Sequence, residues 1–242
     1  SAAEGAPYHM EPDLAHLLIA NVRHAGRWWL AEVPVDAVSD VVLMIEYFPA
    51  AVPAAHTQLR FRFGGEGVRL VPQVGRADTI VAPLTDLVYS VEAVSPVGGE
   101  GFDLVKGMRG HYATAYRFVS LDDRYHQMVT VDHHRVEQVR LALDPDQRRR
   151  VLVRAIRDSD AARLDRMYHT LALNCTTELL RAVDRAVPFD RWHRTLATLT
   201  GFLDGIPTQC RTAFAVRGLA PRGHARMPDL EREWGPARAA AH

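Results

Sequence analysis

The chain has little cysteine, almost no lysine, no excess of either charge and no long apolar run, and each shortage excludes a class of protein. Two cysteines, Cys175 and Cys210, are too few for a disulfide framework, although one bridge between them is allowed. Lys plus Arg and Asp plus Glu number 29 each, so no global field draws the chain to nucleic acid. Lys106 is the single lysine, and the arginine bias reads as coding composition, not as a binding strategy. The longest apolar stretches, 41–48 and 84–97, are broken by Glu46, Asp86 and Glu92 and fall short of the ~20 apolar residues of a membrane span. Residues 1–7 read as a small-residue tail without a signal peptide, so an address or membrane segment removed from a longer natural chain is compatible with what is present. No internal repeat and no Gly/Ser linker divides the chain. Nucleotide-binding glycine loops and the HExxH zinc motif are absent too, and no cofactor or metal is expected.

What is present is an average globular composition, 48% hydrophobic and 24% charged, over 242 residues. The first two thirds alternate like strands, at 17–22, 28–33, 41–48, 59–63, 68–71, 87–94, 112–121 and 125–136, with turn signals such as Gly64-Gly65, Pro96 and Gly98-Gly99 between them. The last third changes period. Asp144-Pro145-Asp146-Gln147 carries a cap, an N1 proline and a Gln at N3, predicting a helix to about residue 157. A second helix is expected from Asn174, with Leu179, Leu180, Val183, Ala186 and Val187 on one face. Two more are expected at 189–199 and 208–216. The fold class is α+β: an antiparallel sheet first, helices last, in one domain over 17–219, with tails at 1–16 and 220–242.

Candidate chemistry centres on Cys175. If Asn174 caps the helix, free N–H groups and the positive end of the dipole favour a thiolate there. The same N–H groups, with the Asn174 amide as a further donor, suit an oxyanion. A buried structural thiol is the bland alternative. Of the 12 histidines, His126, His133 and His134 look like a metal cluster, but on one extended strand His126 and His134 would sit ~26 Å apart and His133 would face away. His56 stands out, because it follows small residues and opens the strand 59–63.

The segment Ala55-His56-Thr57-Gln58-Leu59-Arg60-Phe61-Arg62-Phe63, and the segment Tyr168-His169-Thr170-Leu171 followed by Asn174-Cys175-Thr176-Thr177, resemble two motifs of the Lnb N-terminal periplasmic domain family. Ile19-Ala20-Asn21-Val22-Arg23, Tyr89-Ser90-Val91-Glu92-Ala93, Ile206-Pro207 and Gly218-Leu219 resemble further pieces in the same order. His169 and Leu173 stand where that family often has Asn. The resemblance implies a permuted papain-like (NlpC/P60-like) fold and a Cys175/His56 dyad. It also implies a lipoprotein-modifying acyltransferase of the bacterial envelope, membrane-tethered in its full-length form. Such enzymes carry an acyl chain on the cysteine as a thioester and pass it to an amine.

Within that frame His56 is the expected base, and Glu92, on a strand facing the same way, orients it. Arg60, four residues from His56 and on its face, is a candidate for binding an anionic head group, and Tyr168 a candidate substrate contact. Trp28, Trp29, Trp192 and Trp234 offer an apolar platform for an acyl chain or membrane interface, with at least two of them expected in the core. The expected partner is a lipid or lipoprotein acyl substrate at a membrane surface. Three alternatives stay open: a papain-like peptidase or amidase, a binding module stapled by a Cys175/Cys210 disulfide, and a metal-dependent hydrolase built on the histidine-rich stretch.

Overall fold

The computed structural model describes residues 15–49, 54–73, 81–95, 104–161, 167–170, 173–220 and 227–239. The expected turn signals at Pro96 and Gly98-Gly99, motif residue Leu171 and residues 1–14 of the N-terminal tail lie outside them. Among the described residues, eight strands run in chain order as β1 (His16–His24), β2 (Arg27–Pro34), β3 (Val38–Phe48), β4 (Ala54–Phe63), β5 (Arg69–Pro72), β6 (Asp86–Val94), β7 (Tyr112–Ser120) and β8 (Arg135–Arg140). They form one sheet ordered β5-β2-β1-β7-β6-β4-β3-β8, and a short β9 (Met167–Tyr168) adds to the start of β7. All pairings are antiparallel except β1 with β7. The helices are α1 (Leu104–Met108), α2 (Leu121–Tyr125), α3 (Pro145–Ala161), α4 (Cys175–Ala186), α5 (Arg191–Leu199), α6 (Cys210–Val216) and α7 (Leu230–Ala239). The chain is thus mixed α+β with a mostly antiparallel sheet.

Alternation sorts the sheet into two faces. Leu43, Ile45, Leu59, Phe61, Leu87 and Tyr89 point to one side, where α3, α4 and α6 bury the main core against them. The α4 stripe expected from sequence is buried as a unit: Leu179, Leu180, Val183, Ala186 and Val187 are all within it. Truncating Leu179, which is fully buried, to Ala costs ~2 to 5 kcal/mol. Both sequence-read caps form. Asp144 Oδ1 accepts from Gln147 N at 2.8 Å while Gln147 Oε1 accepts from Asp144 N at 2.9 Å, and Asn174 and Thr177 make the same reciprocal exchange at the start of α4.

The opposite face differs from the sequence reading. Residues 125–136, expected as a strand, are the end of α2 and a π-helical turn, His126–Val131, and strand β8 begins only at Arg135. Ser120 caps α2 by accepting from Asp123 N, and Asp122 and Asp123 suit its first turn. Leu121 and Met128 then bury against Met44, Val88 and Val136, so a second small core wins over local strand propensity. Leu230 of α7 completes that core, so the stretch read as a C-terminal tail carries a docked helix.

Candidate active site

The approach to Cys175 is built from local hydrogen bonds. Tyr168 of β9 pairs with Tyr112 on β7, and His169 then pairs with Leu173, His169 N to Leu173 O at 3.0 Å and Leu173 N to His169 O at 2.9 Å. Asn174 comes next in extended conformation, with its Oδ1 on Thr177 N. Its Nδ2 donates to Thr170 O at 2.5 Å and Gly205 O at 2.9 Å. Both amide hydrogens are therefore committed, and Asn174 is a structural clamp on the helix start, not the free oxyanion donor expected from sequence. The cap leaves the N–H groups of Cys175 and Thr176 without intrahelical acceptors.

His56 lies on β4, between β3 and β6 in the middle of the sheet. Antiparallel register sets Gln58 opposite Ser90, so the next same-face step sets His56 near Glu92. The side chains use Ser90 as an intermediary: His56 Nε2 to Ser90 Oγ is 2.8 Å, and Ser90 Oγ donates to Glu92 Oε1 at 3.1 Å. Because the serine proton goes to the carboxylate, Ser90 Oγ accepts from His56 Nε2–H. That fixes the tautomer and leaves Nδ1 as the nitrogen free for the thiol, whose charge is coupled to that of the ring. Glu92 therefore orients His56 through a hydroxyl, a correction to the direct contact expected. Alternation of Ser90 and Glu92 on one strand is the signal that would have found the serine.

Electrostatics follow from these contacts. Burial pushes the Cys175 thiol up, but the His56 charge, the His56 hydrogen bond and hydrogen bonds from the Thr57 hydroxyl and N–H outweigh it and bring the pKa to about 7. For His56, burial pulls the pKa down, while the charge of the Cys175 thiolate and its hydrogen bond more than compensate and leave it raised. Burial likewise works against the Glu92 carboxylate, and Arg124 at 3.1 Å and Arg117 at 2.8 Å hold it ionised with a lowered pKa. Tyr168 presents its phenol to the thiol and N–H of Cys175, and burial together with that thiolate raises its pKa far enough to keep the O–H a donor. Thr57, also hydrogen-bonded to Thr176 at 3.1 Å, was not singled out from sequence; its position next to His56 on a buried strand was the available clue.

Other sequence candidates land elsewhere. Arg60 is fully buried under α7, paired to Asp86 at 2.7 Å and Glu233 at 2.9 Å and lying 5.5 Å from the Trp234 ring centroid, so its guanidinium is not available to a head group. Trp29 is buried and Trp234 packs on the second core, whereas Trp28 and Trp192 are exposed. Cys175 and Cys210 are free thiols, so the bridge is not formed.

His134 Nδ1 donates to Glu46 Oε1 at 2.7 Å, with Asp132 close by. His126 and His134 do not lie on one strand as the sequence reading assumed, since His126 sits in the π turn. The three ligand-type side chains Glu46, Asp132 and His134 lie within 4.8 Å of one another, but their own bonds account for them: Glu46 takes His134 and Gln58, and Asp132 takes Gln127. A cavity of about 940 Å³ opens on the α2 side of the sheet, lined among others by Glu92, Arg117, Arg124, His126 and Trp234. It reaches the carboxylate end of the relay and not the thiol.

The family model of the Lnb N-terminal periplasmic domain matches residues 25–206, three quarters of the chain, including His56, Ser90, Glu92, Tyr168 and Cys175. The chain belongs to that family. The match leaves out the Asn21-Val22-Arg23 segment and everything after Ile206, so those two resemblances read from sequence are not part of it. No curated protein and no solved structure matches the chain. Membership in the Lnb family agrees with a bacterial, periplasmic type of domain, as the family's description says.

Proposed function

We propose that this Lnb-family domain is a cysteine acyl-transfer enzyme of the bacterial envelope, in a permuted papain-like arrangement, acting on a lipid ester or a lipoprotein. The observation that carries the reading is the buried Cys175–His56 pair at a capped helix start, each group favouring the charged form of the other, with the far nitrogen of His56 held by Ser90 and Glu92. No cofactor enters the chemistry.

In the first half-reaction the Cys175 thiolate adds to the ester carbonyl, forming a C–S bond. The oxygen that gains charge is met by the Cys175 N–H and by the Tyr168 O–H, both at the helix start. Collapse breaks the C–O bond, and the His56 imidazolium gives its proton to the leaving alcohol. A thioester remains on Cys175. In the second half an amine, or water, gives a proton to His56 as it attacks, and the thiolate leaves. Tyr168 also accepts from the same N–H in the resting enzyme, so a substrate carbonyl must replace the phenol oxygen there while the phenol O–H turns from the thiolate to the new oxyanion.

Incubating the protein with a diacylglyceryl lipopeptide and measuring its intact mass tests the reading. One added acyl chain, labile to hydroxylamine and mapped to Cys175, is the expected result. No adduct and no turnover with ester substrates, together with cleavage of a cell-wall peptide, would replace it with the amidase reading.

A further inference from the structure

Helix α5 and the turn after it are apolar on the outside. None of the residues of α5 is buried, and Trp192 and Leu199, two turns apart on one stripe, are 67% and 72% exposed. The 3-10 turn Gly201–Gly205 extends the stripe with Phe202, 72% exposed, and Ile206 follows at its end. The inner side of α5 is identified by His193, whose ring lies so close to Gly218 that a Cβ there would sit 2.9 Å from its Nε2. Single exposed apolar residues such as Leu18 or Val131 are ordinary; four large ones exposed within residues 192–206 are not.

Arginine outnumbers acid around the stripe. Arg185, Arg191 and Arg194 are exposed and form no ion pair among the described residues. The nearby acids all have partners: Asp190 caps α5 and lies 2.8 Å from His193, and Asp184 and Asp204 share Arg217, at 2.7 and 2.8 Å, so with Arg217 counted four guanidiniums stand against three carboxylates. An apolar stripe carrying tryptophan and rimmed by arginine is the composition of a helix that lies in a bilayer interface and is attracted by anionic lipid. The stripe also joins the thiol site. Gly205, the last residue of the turn, is held through its carbonyl by Asn174 Nδ2, one residue before Cys175, and Met167, 51% exposed, adjoins Tyr168.

We propose that residues 191–206 are a membrane-docking face that seats the domain on an anionic bilayer and sets the start of α4 at the depth of the lipid ester groups. This rests on the lipid-ester reading and specifies how such a substrate is reached.

The experiment uses the full chain carrying Cys175→Ala, so that no chemistry is needed, with vesicles of phosphatidylcholine alone or containing phosphatidylglycerol. The protein is expected to sediment with the phosphatidylglycerol vesicles. Leu199→Ser with Phe202→Ser, both at exposed positions, should lower that partition at least about tenfold. Arg191→Gln with Arg194→Gln should lower it about tenfold for phosphatidylglycerol vesicles and hardly at all for phosphatidylcholine. Circular dichroism confirms that each variant is folded. Failure of the wild-type surface to bind either vesicle, or undiminished binding by the Ser variant, overturns the proposal; so does a dimer by light scattering that the Ser variant dissociates, which would make the face a self-association surface. The two readings fail separately. Vesicle binding without an acyl adduct on active protein leaves docking standing, and acylation from a water-soluble ester without vesicle binding removes docking alone.

Discussion

Cys175 and Cys210 are the same residue type, both buried, each the first residue of a helix, and they end with opposite chemistry. Cys175 has a side-chain-capped helix start, His56 and the Thr57 donors, and its pKa falls to about 7. Cys210 begins α6 with no side-chain cap, and burial, followed by the charge of Cys175, drives its pKa well above the ordinary value. A helix start in a buried place is therefore not enough to make a thiolate. The partner is: an imidazole that is itself fixed by Ser90 and an ionised Glu92 turns the desolvation penalty into a shared ion pair.

That contrast can be broken in order of expected effect. Cys175→Ala should abolish acyl-enzyme formation, a loss of at least ~10³-fold in kcat/KM, whereas Cys210→Ala should leave the activity within about twofold and show its effect as ~1 kcal/mol of lost stability in a urea titration. Removing the imidazole comes next. His56→Ala should return the thiol to or above its ordinary 9.0 from about 7, leaving at least ~50-fold less thiolate at neutral pH, so the two cysteines would become alike toward an alkylating reagent.

Ser90→Ala should cost ~10- to 100-fold in kcat with KM little changed, because the ring loses its tautomer and not its substrate contacts. Ser90→Thr should recover most of that, which a merely structural role would not predict. Thr57→Val keeps the backbone N–H and loses only the hydroxyl donor, so a shift of the thiol toward higher pKa and a few-fold slower reaction at neutral pH are expected.

The pH dependence has a definite sign. The reactive state needs Cys175 deprotonated and His56 protonated, so kcat/KM should rise with pH through the lower of the pair's two apparent pKa values and fall through the higher. For stability, the Glu92 pKa is lowered in the fold, so its contribution is complete above the unfolded carboxyl value of 4.5 and is lost as pH falls through the folded value.

Much of this was readable from residues whose signals are local. The capping box at Asp144, the cap at Asn174, the apolar stripe of α4 and the alternation of β1 to β7 depend on near neighbours, and they formed as expected. What failed depends on distant packing. Residues 125–136 carry Tyr125, Val129 and Val131 like a strand, but burial of Leu121 and Met128 on the second face favours helix there. Arg60 shares the face of His56 as alternation requires, yet the docking of α7 with Glu233 and Trp234 closes over it, and nothing near Arg60 in sequence announces that helix. Asn174 was read correctly as a cap, but its second use, clamping Thr170 and Gly205, needs a loop 31 residues away. Ser90 is visible only once the β4–β6 register sets Gln58 opposite it and His56 one step on.

The most direct measurement is the rate of iodoacetamide alkylation of each cysteine in the native protein as a function of pH, read by peptide mass spectrometry, in wild type and in His56→Ala. The account predicts that Cys175 labels with an apparent pKa of about 7 while Cys210 stays unlabelled across the range, and that Cys175 loses this behaviour when His56 is removed. Equal, slow labelling of both thiols in the wild type, or a Cys175 profile that His56→Ala leaves unchanged, would contradict it.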